Sequence, residues 1–138
     1  MFNIDSLSGY TQHFDVIKEY KERYKLNGLN IMHCPIAGND QPISGLHIPY
    51  KTMQRFDSHS IFGHYHRHEQ ATNKRVDSDT HQICIICPCF FTDWPHYLSP
   101  NAPVSNTAGI LLVNQMTSES PPEVHEYSME FLQNHYQM

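Results

Sequence analysis

The segment that most constrains this chain is Ile61-Phe62-Gly63-His64-Tyr65-His66-Arg67-His68. Two apolar residues run into a glycine, and three histidines follow at alternate positions. In extended backbone successive side chains point to opposite faces, so His64, His66 and His68 can share one side. Gly63 has no Cβ, which lets the backbone turn sharply and lie close to whatever the histidines hold. Imidazole is the commonest side-chain metal ligand, and this spacing lets two rings converge on one small site. A strand ending in a metal-binding loop is expected here. The competing reading is a solvated turn that is rich in histidine.

Histidine is also the compositional outlier, with 11 copies against 9 Lys and Arg together. The formal net charge of -5 provides no basic field to hold nucleic acid by its phosphates. That argues against a stand-alone nucleic-acid-binding module, but not against an enzyme that meets phosphate through a metal. The 138 residues are expected to form one domain, 1–138. The longest apolar run, Ile83-Cys84-Ile85-Ile86-Cys87, is far short of the roughly 20 residues that span a bilayer. The amino terminus has neither a basic leader nor an apolar h-region, and four cysteines without an export signal read as thiols. A cytoplasmic location without membrane contact is the expectation. Cys84 and Cys87 would face opposite sides of a strand, which argues against a shared zinc ion.

Along the chain, residues 2–7 alternate as a half-buried strand. Residues 11–26 show helical spacing through Val16, Tyr20 and Tyr24, and Asn27-Gly28 reads as the helix stop. Residues 29–32 form a short strand that ends in His33-Cys34-Pro35, followed by a polar loop through Gly45. A helix opened by proline is expected over 49–56, then a strand over 60–62 that feeds the histidine loop. The order βαβαβ indicates an α/β class, in which ligand sites gather at the carboxy ends of strands. A polar turn over 74–79, strands over 82–87 and 108–113, and a strand or short helix over 124–131 complete the chain.

His33-Cys34-Pro35 followed by Gly63-His64-Tyr65-His66 resembles the carboxy-terminal half of the calcineurin-like metallophosphoesterases. In that family a strand ending in His (often His-x-Pro) precedes a helix and a strand ending in Gly-His-x-His. Residues 82–87 and 108–113 resemble its later strands, and the resemblance covers almost the whole chain. It implies a partial metallophosphoesterase-like α/β sandwich, βαβαβ followed by additional strands. It also implies divalent metal ions (Mn, Zn, Fe or Ni), with His33 and His64 on one ion and His66 on its neighbour. Arg67 would stand at the rim to meet a phosphate. His59 and His68 match no ligand of the family and are expected at the surface.

The family's Asp-x-His, Gly-Asp and Gly-Asn-His motifs have no place here; Gly38-Asn39-Asp40 falls after His33, out of order. Residues 2–7 resemble the strand that follows the Gly-Asn-His loop, so the chain is expected to begin just past the missing half. Two dications about 4 Å apart repel by roughly 16 kcal/mol at an effective dielectric near 20, which three neutral imidazoles cannot offset. The expected function is a metal-dependent phosphoesterase acting on phosphomono- or diesters, split or truncated, and inactive without an amino-terminal half. The alternative is a catalytically degenerate metal-binding protein with an interaction or regulatory role; an unrelated small histidine-rich metal binder is the third. A homo-oligomer or amino-terminal partner is expected, because Ile31, Ile61, Phe62, Ile83, Ile85, Ile86, Leu111 and Val113 would line faces that the missing half covers.

Overall fold

The computed structural model describes residues 20–74, 81–90, 107–114 and 122–136. Asn27 and Gly28 set its first feature. Both have positive φ, 46° and 83°, the sign that a type I′ hairpin turn needs at its two central positions. They join Arg23–Leu26 (β1) to Leu29–Met32 (β2) as an antiparallel pair, with Leu26 opposite Leu29. The last four residues of the helix expected over 11–26 are therefore a strand. Asn-Gly between two short segments is a hairpin signal, and it outweighs the helical spacing of Tyr20 and Tyr24. The strand expected over 2–7 and residues 11–19 of the expected helix lie outside the described residues.

From β2 the chain passes through a loop to Ile48–Met53 (α1), which has proline in its first turn, and returns as His59–Phe62 (β3). β3 runs parallel to β2, with Met32 beside Phe62. Glu69–Lys74 (β4) and His81–Ile86 (β5) follow, and β5 pairs in parallel with β3. The sheet order is β1-β2-β3-β5-β4, three parallel strands flanked by two antiparallel edges. Sequence periodicity gives no sign of β4, because Glu-Gln-Ala-Thr-Asn-Lys has only one apolar residue. Such polar, charged edges discourage other chains from adding to the sheet.

Both faces of the sheet carry packed elements. On one face Met32, Phe62, Cys84 and Ile86 pack with Ile48 and Met53 of α1 and with Ile43 of the preceding loop. On the other, Leu29, Ile61, Ile83 and Ile85 meet Leu111, Val113 and Val124. Those three belong to Gly109–Val113 (β6) and Val124–Ser128 (β7), an antiparallel two-stranded sheet. Double burial explains why β5 reads as an unbroken apolar run instead of alternating. β7 leads directly into Met129–Tyr136 (α2), so the segment expected as strand or helix contains both.

This is a mixed α/β architecture, the class expected; of the expected βαβαβ order the described residues hold the β2-α1-β3 unit, with the hairpin strand β1 where the first helix is expected to end. The chain's own α1 packs on one of the apolar faces expected to lie open, and β6–β7 covers part of the other, where Leu29, Ile31, Ile61, Leu111 and Val113 line an apolar groove. Phe62, Ile85 and Ile86 are fully buried, and of the expected set Ile31 is the one left at 36% exposure. Cys84 faces α1 while Cys87 packs on the opposite side, so the two thiols cannot share an ion. All four cysteines are free. Burial pushes Cys84 up to about 12 and Cys87 up to about 11, which keeps both protonated and unreactive at neutral pH. Among the described residues no helix is long and apolar enough to cross a membrane.

Candidate metal centre

Because β2 and β3 are adjacent and parallel, their carboxy-terminal ends lie side by side. The backbone pairing continues past them: Gly63 N–H donates to the His33 carbonyl at 3.0 Å, and Cys87 N–H to the Phe62 carbonyl at 2.8 Å. The loop beyond is not the extended segment its alternating histidines predict. His64 and His66 both adopt left-handed backbone, φ 72° and 55°, which reorients the side chains that strict alternation would align. Non-glycine residues seldom take this conformation, and such strain concentrates at functional sites.

The turn brings His33 and His64 together. Nε2 of His33 lies 3.2 Å from Nδ1 of His64, with ring centroids 5.2 Å apart and planes inclined by 69°. Tyr20 packs its ring 4.5 Å from that of His33 and places its hydroxyl 3.5 Å from the same His64 nitrogen. The ring of Tyr65 stands edge-on to His64 at 5.1 Å, and its hydroxyl donates to the Ile43 carbonyl at 2.5 Å. Two tyrosines thus pack against the histidine pair. Tyr20 gives no functional signal in the sequence, where it reads as part of an apolar helical stripe.

The electrostatics favour neutral rings. Burial lowers the pKa of His33 below its ordinary 6.5, and the neighbouring His64 and His66 lower it further. His64 is lowered by burial and then by His66. A hydrogen bond with the Cys34 thiol raises Tyr20 to about 12, and burial raises Tyr65 to about 12, so both phenols stay protonated. At neutral pH the pair offers imidazole lone pairs and no formal charge.

The 3.2 Å separation is that of a hydrogen bond between the two rings, and it also lies near the spacing of two donors on one ion. Ligand bonds of about 2.0–2.1 Å at tetrahedral angles separate donor atoms by roughly 3.3–3.4 Å, close to the observed spacing. A ready-made cage is not present: among the described residues no group of three or more His, Cys, Asp or Glu side chains is placed to hold an ion. His66 is near enough to act electrostatically on both partners, while its carbonyl accepts from Thr107 N–H at 3.1 Å. Asp40, of the Gly38-Asn39-Asp40 turn, is held by Lys21.

Arg67 directs Nε and Nη2 at Oε2 of Glu69, 3.1 and 2.9 Å away. A phosphate at the rim would have to compete with that carboxylate. His59 and His68 are not the surface residues expected. His59 is buried, and its Nδ1 accepts from Ile83 N–H at 3.1 Å. His68 is half-buried, with Nδ1 2.5 Å from Oε2 of Glu126 and its backbone N–H on the Thr107 hydroxyl. His68 therefore ties the histidine loop to the β6–β7 sheet.

Comparisons with protein-family models, with curated proteins and with solved structures find no match to this chain.

Proposed function

We propose that this chain forms the carboxy-terminal half of a metal-dependent phosphoesterase of the calcineurin-like metallophosphoesterase type. His33 and His64 would hold a divalent ion, and His66 would bind its neighbour once a carboxylate-bearing amino-terminal half completes the site. The observation that carries this reading is the 3.2 Å approach of His33 Nε2 and His64 Nδ1 at the ends of adjacent parallel strands. The pattern of His33-Cys34-Pro35 and Gly63-His64-Tyr65-His66 supplies the family. A bound divalent ion supplies Lewis-acid polarisation of a phosphate oxygen. The chain's own residues contribute the rest. Tyr20 and Tyr65 fix the ring positions, and burial keeps the nitrogens unprotonated. Glu69 orients Arg67 and tempers its hold on a phosphate.

The incomplete donor set of the described residues calls for a partner. Incubation with bis-p-nitrophenyl phosphate in Mn²⁺ tests the proposal. No hydrolysis is expected from the chain alone, and hydrolysis on adding a polypeptide that carries Asp-x-His, Gly-Asp and Gly-Asn-His. Turnover by the chain alone would refute the split-site reading. A second reading, a degenerate metal-binding protein with an interaction or regulatory role, is favoured by the engagement of Arg67 with Glu69 and predicts no turnover under either condition.

A further inference from the structure

A polar cleft between the 37–44 loop and α1 plays no part in the histidine centre. Its volume is about 450 Å³, within the range of roughly 300–1,000 Å³ typical of small-molecule sites. Its polar lining is Asn39, Gln41, Ser44, Lys51, Gln54 and Arg55. The loop wall is well braced. Ile36 bridges to Pro42, Ala37 N–H donates to the Gln41 carbonyl at 2.7 Å, and Ile43 N–H donates to the Pro35 carbonyl at 2.9 Å. The Tyr65 hydroxyl holds the same wall through the Ile43 carbonyl.

Two cations line this cleft, and among the described residues no carboxylate neutralises them. Lys51 donates to the Ser44 carbonyl at 2.8 Å, leaving two ammonium protons for another acceptor. The Lys51 ammonium lies beside Gly45, whose φ is 93° and where an added Cβ would sit 2.9 Å from it. Arg55 follows about one helical turn later. Among the described residues neither cation takes part in an ion pair, and no Asp or Glu lines the cleft. Asp40 lies between two lining residues in sequence but is turned to Lys21. In a chain of net charge -5, this is a local positive concavity with its charge unspent.

We propose that this cleft binds a small phosphorylated polyol, a sugar phosphate in chemical class. The phosphate would lie between the Lys51 ammonium and the Arg55 guanidinium, which suit it as a point charge and a planar fork. The amides of Asn39, Gln41 and Gln54 offer paired donors and acceptors for hydroxyl groups. Among the described residues no aromatic ring lines the cleft, so they offer no platform on which a nucleobase could stack. The inference does not rest on the metal reading, because none of these residues belongs to the histidine centre.

Calorimetric titration of the metal-stripped full chain with inorganic phosphate, ribose 5-phosphate and ribose tests it. Ribose 5-phosphate is expected to saturate at one site, more tightly than inorganic phosphate, while ribose does not bind, and its affinity should fall as salt rises. Arg55→Gln should weaken it about tenfold or more, the usual worth of a charge-assisted contact. Lys51→Met should do the same, but Lys51 also braces Ser44, so the exposed Arg55 gives the cleaner variant. An unchanged Tm in Arg55→Gln shows that the fold is kept. Absence of saturable binding, or binding that Arg55→Gln leaves unchanged, would overturn the site; equal affinity for phosphate and ribose 5-phosphate would overturn the polyol assignment.

Discussion

Inside the main sheet, Nδ1 of His59 accepts a hydrogen bond from the backbone N–H of Ile83 at 3.1 Å. The acceptor nitrogen must carry a lone pair, so this buried ring is neutral, with its proton on Nε2. It extends the β3–β5 pairing by one contact beyond the ladder that starts at Ser60 and Cys84.

The first prediction follows from that ring. Burial lowers the pKa of His59 below 6.5, and His33 and His64 are lowered in the same direction. Between the lowered folded value and the unfolded value of about 6.5, the unfolded chain binds more protons, so stability rises with pH through that window. Tm should therefore drop on acidification from pH 7.5 to 5 and level off about one unit above 6.5. His59→Gln, which keeps an acceptor but cannot titrate, should flatten part of the slope. A Tm that is constant or higher at pH 5 would contradict this.

Gly28→Val should destabilise the β1–β2 hairpin. A β-branched residue at φ 83° costs about 1–3 kcal/mol, which a urea unfolding midpoint resolves. Substitution of Asn27 by Gly, which tolerates positive φ, should leave the midpoint nearly unchanged.

Phe62→Ala should cost about 3–5 kcal/mol, because a fully buried ring is lost from the middle strand between Met32 and Ile86. Ile31→Ala, on a side chain 36% exposed, should cost well under half of that in the same denaturation experiment.

Gly109→Ala should loosen the small sheet. A Cβ at residue 109 would run into the Tyr127 carbonyl oxygen across the β6–β7 pair, so backbone must shift to admit it. Faster amide exchange at Leu111 and Val113, with the β2–β3 amides unaffected, is the expected result.

How these features could be read from the sequence varies with their physical origin. The β2-α1-β3 unit and β5 are carried by apolar runs and proline placement, local signals that tertiary contacts reinforce. β1 is misread because Asn-Gly serves both as a helix stop and as a hairpin turn, and pairing with β2 decides between them. β4 is silent because an edge strand need not bury a face. At the centre, the placing of His33 and His64 at neighbouring strand ends follows from strand order and is legible. The left-handed turns at His64 and His66, the packing of Tyr20 against the pair and the capture of Arg67 by Glu69 are not, since each depends on where separate segments meet in space.

The central claim is that His33 and His64 form one ion-binding pair. Isothermal titration of the chain with Zn²⁺ at pH 7.5, beside His33→Ala and His64→Ala, tests it most directly. The account predicts one ion per chain, with affinity at least about tenfold weaker in each variant because a two-ligand grip becomes a one-ligand contact. Absence of binding, or binding that neither substitution weakens, would contradict it.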